Sequence, residues 1–75
     1  MIKNMEVIIK CYTPDGVKVA TRIPSFLFGR ETEARCKHHA ERLLIDYPYI
    51  ERISFRFDKK EYSIEPNKEW EVKEL

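Results

Sequence analysis

Glu6-Val7-Ile8-Ile9-Lys10-Cys11-Tyr12, then Thr13-Pro14-Asp15-Gly16, then Val17-Lys18-Val19-Ala20-Thr21-Arg22-Ile23, reads as two alternating strands around one turn, with the first strand opening at Met5. Proline presets φ at the first central turn position, and glycine accepts the left-handed conformation that a bulged hairpin turn needs. With the bulge placed at the turn, Thr13 pairs with Val17, Cys11 with Val19, Ile9 with Thr21 and Val7 with Ile23, all on one face. The other face then carries Ile8, Lys10 and Tyr12 opposite Arg22, Ala20 and Lys18. A slip by one residue exchanges the faces, and the apolar content of the first set assigns it to the core.

Outward from this hairpin, Pro24-Ser25 ends the second strand, because proline cannot donate to a ladder. Phe26-Leu27-Phe28-Gly29 is an apolar connector. A helix follows from about Arg30 to about Asp46, with Cys36, Ala40, Leu43, Leu44 and Tyr47 along one buried stripe. Glu31/Arg35, Glu33/Lys37 and Arg42/Asp46 are i,i+4 opposite-charge pairs on its wet side, and Pro48 closes it. Ile50 to Phe57 forms a third strand with Ile53, Phe55 and Phe57 on one side and Arg52, Ser54 and Arg56 on the other. A turn over Asp58-Lys59-Lys60-Glu61 sets Phe57 against Tyr62 and Phe55 against Ile64, and Arg56 against Ser63. Asn67-Lys68 breaks the chain before Trp70-Glu71-Val72, a short fifth strand or a tail that packs back, with Trp70 as a lid on the core. A right-handed crossover sets strand three beside strand one. The expected fold is α+β, ββαββ with or without that short fifth strand, an antiparallel sheet of order 2-1-3-4 and one helix on one face.

The 75 residues are expected to form one domain, 1–75, near the lower limit for a self-sufficient core. Formal net charge is +1, so no strong overall field steers the chain to nucleic acid or membrane. The balance is uneven: residues 1–60 carry 12 Lys/Arg against 8 Asp/Glu, a net of +4, and residues 61–75 carry 2 against 5, a net of −3. No segment approaches the roughly 18–20 apolar residues that span a bilayer, and no membrane partner is expected. Met1-Ile2-Lys3-Asn4 lacks the apolar run of a secretion signal, and the chain is expected in the cytoplasm. Cys11 and Cys36 suit that compartment as buried free thiols.

The uncovered sheet face is the first place to look for function. It is expected to display Lys10, Lys18, Arg22, Arg52 and Arg56 around Tyr12, cations for phosphates and a ring for a base. Carboxylates of the second hairpin are expected to pair part of this charge. Phe26, Leu27 and Phe28 offer a second surface: three consecutive bulky residues in a connector do not all turn inward, and an exposed one is an interface anchor. The second strand is a predicted edge without internal proline, a route to a homodimer.

His38-His39 resembles a metal or catalytic pair, but adjacent helical residues point about 100° apart, whereas helical metal ligands lie three or four positions apart. His39 shares a side with Cys36, and Cys11 faces the same core; this set lacks a fourth ligand, so no metal is expected. A nucleophilic cysteine needs partial exposure and a base, which predicted core positions deny. A small hydrolase built on the histidines is the weakest reading, and there is no glycine-rich phosphate loop. No cofactor is expected.

The opening strand and its Thr-Pro-Asp-Gly turn resemble the first hairpin of ubiquitin-like β-grasp domains. The resemblance covers that hairpin alone: the chain ends in Lys73-Glu74-Leu75 and not in a diglycine, and no function is carried across. The sequence points to a small non-catalytic binding or regulatory module that contacts another protein or a second copy of itself through Phe26–Phe28 and the open sheet face. The alternative is RNA or single-stranded DNA binding through Lys10, Tyr12, Lys18, Arg22, Arg52 and Arg56.

Overall fold

The structure, a computed structural model, describes residues 6–24 and 29–75. Their order is β1 (Glu6–Thr13), β2 (Gly16–Pro24), α1 (Gly29–Asp46), β3 (Arg52–Phe57), β4 (Lys60–Ile64) and β5 (Glu71–Glu74). The strands form one antiparallel sheet in the order β2-β1-β3-β4-β5, with α1 on one face. The expected α+β fold and strand order therefore hold, and the fifth strand is real.

Alternation in β1 does what its period dictates: Val7, Ile9, Cys11 and Thr13 are buried, and Glu6, Ile8 and Lys10 are exposed. The first hairpin closes more tightly than expected. Thr13 pairs directly with Gly16, leaving Pro14-Asp15 as a two-residue loop. The Thr13 hydroxyl supports it, donating to the Gly16 carbonyl at 3.0 Å and accepting the Asp15 N–H at 3.2 Å. Gly16 takes φ +117°, a conformation that other residues rarely adopt.

This closure moves the bulge. Val7↔Ile23, Ile8↔Arg22 and Ile9↔Thr21 pair as expected, but below them the register shifts and Ala20 becomes the extra residue. Its small side chain packs against the core from inside the strand. Consequently Lys10 faces Val19, Cys11 faces Lys18 and Tyr12 faces Val17. Val17 and Val19, expected in the core, lie on the opposite face and are 57% and 50% exposed. Lys18 moves the other way, onto the side that carries the helix.

The second hairpin is also tighter. Phe57 pairs with Lys60 and Phe55 with Tyr62, around a two-residue turn in which Asp58 and Lys59 both have positive φ, 54° and 59°. Those are the angles of a type I′ turn, whose twist matches that of the strands. The shift from the expected register is two residues, so the faces are unchanged but the partners differ: Arg56 meets Glu61, not Ser63.

Under α1 lie Val7, Ile9, Cys11, Ile23, Ile53, Phe55, Tyr62 and Ile64, with Cys36 and Ala40 from the helix. The helical stripe begins one turn earlier than expected, at Thr32, which is fully buried. It also ends earlier. Pro48 disfavours helical geometry at Tyr47, the chain turns away, and Ile50 fills the space while Tyr47 is exposed. Trp70 closes the other side as expected: its ring meets Phe55 edge-on at 5.6 Å, and Phe55 stacks on Tyr62 at 4.7 Å. Lys37 lies over the Tyr62 and Trp70 rings and pairs with Glu33 at 3.2 Å. Among the described residues, no helix is long and apolar enough to cross a membrane.

Candidate functional site

The open face of the sheet brings together five of the six residues read as a nucleic-acid surface: Lys10, Tyr12, Arg22, Arg52 and Arg56. Lys18 is the one left out, because the register sets it opposite Cys11. Between β1 and β4 this face dips into a groove of about 280 Å³, lined by Glu6, Ile8, Lys10, Tyr12, Ser54, Arg56 and Glu61. The β1–β3 ladder runs only from Lys10↔Ser54 to Tyr12↔Arg52, and the groove opens where that pairing ends.

Carboxylates and a ring occupy the arginines. Arg22 lies 3.8 Å from Glu6, and Arg56 lies 3.4 Å from Glu61. The Arg52 guanidinium sits 4.1 Å from the centre of the Tyr12 ring. Ser54, itself buried, donates to the Tyr12 hydroxyl at 3.3 Å. That hydrogen bond, aided by Arg52 and opposed by burial, holds the Tyr12 phenol below its ordinary pKa. Lys10 has no ion-pair partner among the described residues. The face is thus a mosaic of both charges.

The histidines do not build a centre. His38 and His39 are both exposed, with rings edge to face at 6.4 Å, while Cys11 and Cys36 are buried free thiols. Burial pushes the Cys36 thiol up to about 11, which keeps it protonated and unreactive at neutral pH. Among the described residues, no three of His, Cys, Asp and Glu gather as metal ligands. Phe26, Leu27 and Phe28, read as the protein-contact surface, lie outside the described residues.

A second surface stands at the C-terminal end of α1. There an open groove of about 520 Å³ runs between the helix end and the β4–β5 connection. Leu44, Ile45 and Pro48 line one wall, Ile64 and Pro66 the other, with Glu41, Glu65 and Lys68 among the polar lining residues. The far wall is a firm turn: the Lys68 N–H donates to the Glu65 carbonyl at 3.2 Å, Pro66 takes the first central position, and Asn67 follows with φ 64°. Ile45 is 71% exposed, and Tyr47 and Tyr49 on either side of Pro48 are 45% and 60% exposed. Their rings meet edge to face at 5.9 Å, which holds both outward as one unit.

Sequence reasoning passed over this surface, although it left a signal. Leu43-Leu44-Ile45 is a run that one helical stripe cannot bury whole, and Tyr47-Pro48-Tyr49 places bulky rings around a helix stop. No protein-family model, curated protein or solved structure matches this chain.

Proposed function

We propose that this protein is a non-catalytic binding module that contacts another protein through the groove at the end of α1. The observation that carries this reading is the open groove walled by Leu44, Ile45, Pro48, Ile64 and Pro66, with Ile45 71% exposed at it and the Tyr47–Tyr49 ring pair exposed where the helix stops. Contiguous exposed apolar surface on a small domain marks an interaction site, and tyrosine is a favoured anchor there. The two free thiols fit residence in the cytoplasm, where thiols stay reduced. A photo-crosslinking amino acid placed at Ile45 or Tyr49 in cells tests the reading, with His38 as an exposed control. Discrete protein adducts at Ile45 and Tyr49 but not at His38 support it; equal adducts at all sites, or none, refute it.

A second reading, binding of RNA or single-stranded DNA, draws support from Lys10 beside the Tyr12–Arg52 pair. Glu6 and Glu61 on the same face oppose it, since each lies beside an arginine that a phosphate would need. Binding by this route falls steeply with salt and is lost in Lys10→Glu.

A further inference from the structure

We infer that the groove at the end of α1 takes a segment of a different protein in which an apolar or aromatic anchor is flanked by Lys or Arg. This rests on the protein-contact reading above and adds the chemistry of the partner. The lining supplies the first half: Leu44, Ile45, Pro48, Ile64 and Pro66 offer only carbon to an incoming side chain.

Charge around the groove supplies the second half. Of the residues that line the groove, Glu41 and Glu65 are acidic and Lys68 is basic, a net of −1. Lys68 is taken up locally by Glu65 at 3.6 Å. Glu41 accepts the Trp70 indole N–H at 2.9 Å, a neutral donor that orients the carboxylate and leaves its charge in place. The helix adds to this field. Its C-terminus carries the negative end of the macrodipole, and α1 finishes on Asp46 with no basic residue in its last turn. An acidic rim around an apolar floor selects a basic-flanked anchor and repels an acidic one.

The same rim argues against a second copy of this chain as the occupant. A twofold contact presents one patch to itself, so the carboxylates of Glu41 and Glu65 would share one interface with those of the copy. Juxtaposed like charges cost several kcal/mol, roughly the scale on which wrong partners are rejected.

The test pans a random peptide library, displayed on phage, against the full chain, with Ile45→Gln as the counter-target. Circular dichroism first checks that Ile45→Gln keeps the fold. The winning peptides are then synthesised and titrated at low and high salt, and light scattering reports the mass of the free protein. The expected winners carry a Leu, Phe or Trp within a few positions of Lys or Arg. They lose at least tenfold in affinity on Ile45→Gln, and weaken severalfold at high salt and in Glu41→Gln with Asp46→Asn. Winners that need Ile45 but have neutral or acidic flanks overturn the partner chemistry and leave the contact reading standing. Absence of any peptide that depends on Ile45 overturns both. A dimer that Ile45→Gln converts to monomer overturns the exclusion of a second copy.

Discussion

Arg52 lays its guanidinium over the ring of Tyr12, 4.1 Å from the centroid, across the β1–β3 ladder in which the two residues are direct partners. The contact changes the meaning of the open face. A ring that stacks on bases must offer its plane, and one plane of Tyr12 is already covered by a cation. The pair is worth about 0.5–1 kcal/mol at an exposed site and steadies the join between the first hairpin and the rest of the sheet.

The first prediction concerns the Tyr12 phenol. The Ser54 hydrogen bond is the largest single cause of its lowered pKa, and Arg52 adds to it through both a hydrogen bond and its charge. Both favour the phenolate, so removing either moves the titration upward toward the ordinary 10.0. Ser54→Ala and Arg52→Met are each expected to raise it. Nuclear magnetic resonance titration of the Tyr12 ring reads this directly, and an unmoved midpoint in Ser54→Ala contradicts the geometry.

A second prediction follows from Cys36. Its thiol titrates near 9.0 in an ordinary setting and about 11 in the fold, with burial as the cause. The folded state therefore holds its proton more tightly than the unfolded state. By linkage, the resulting stability is full below pH 9 and is lost as pH climbs through about 11. Tyr62, raised by burial and by Glu33, acts in the same sense from pH 10 upward, whereas Tyr12 acts in the opposite sense. Denaturant midpoints measured from pH 8 to pH 11 are expected to fall, and to fall less in Cys36→Ala. At neutral pH, alkylation of Cys36 is expected to proceed only as fast as the protein opens.

The chain announces its elements more clearly than its registers. Alternation in β1 and the spacing of Cys36, Ala40, Leu43 and Leu44 carry the strand and helix directly, and the crossover rule orders the sheet. Turn lengths resist this reading because local residues decide them by small margins. Thr13-Pro14-Asp15-Gly16 suits both a bulge at the turn and a two-residue loop, and the choice falls to Ala20, which can tuck inward where a larger residue could not. Asp58-Lys59 hides its turn because lysine stands at the second positive-φ position, where glycine is the usual choice. Thr32 is a polar residue at a core position, invisible to an apolar stripe. The groove beyond Ile45 needs the β4–β5 turn for its second wall, and that wall is a tertiary product.

The turns yield a paired prediction. Lys59 sits at φ 59° without the freedom of glycine, so Lys59→Gly relieves strain and matches the Asp-Gly preference of a type I′ turn. Stability is expected to rise by roughly 1 kcal/mol. Gly16→Ala is expected to do the reverse by a similar amount, about 1 kcal/mol. Nothing lies within 4 Å of where its methyl group would go, so the cost comes from φ +117° alone. Chemical denaturation of both variants tests the contrast; a neutral Gly16→Ala places the strain elsewhere.

The last prediction separates core from contact surface. Ile53 is fully buried between helix and sheet, whereas Ile45, on the same chain and of the same residue type, is 71% exposed. Truncating a buried isoleucine to alanine costs roughly 2–5 kcal/mol through lost burial and the cavity left behind. A domain of this size has little more than that in total, at about 3–5 kcal/mol. Ile53→Ala is therefore expected to unfold much of the population at room temperature. Ile45→Gln exchanges exposed carbon for exposed amide at a helical position that glutamine suits, and is expected to shift stability by no more than about 0.5 kcal/mol. Thermal and urea melts of the two variants measure the difference. A large loss in Ile45→Gln would assign that side chain to the fold and remove it from the contact surface; an intact fold leaves its exposure to be accounted for by what it meets.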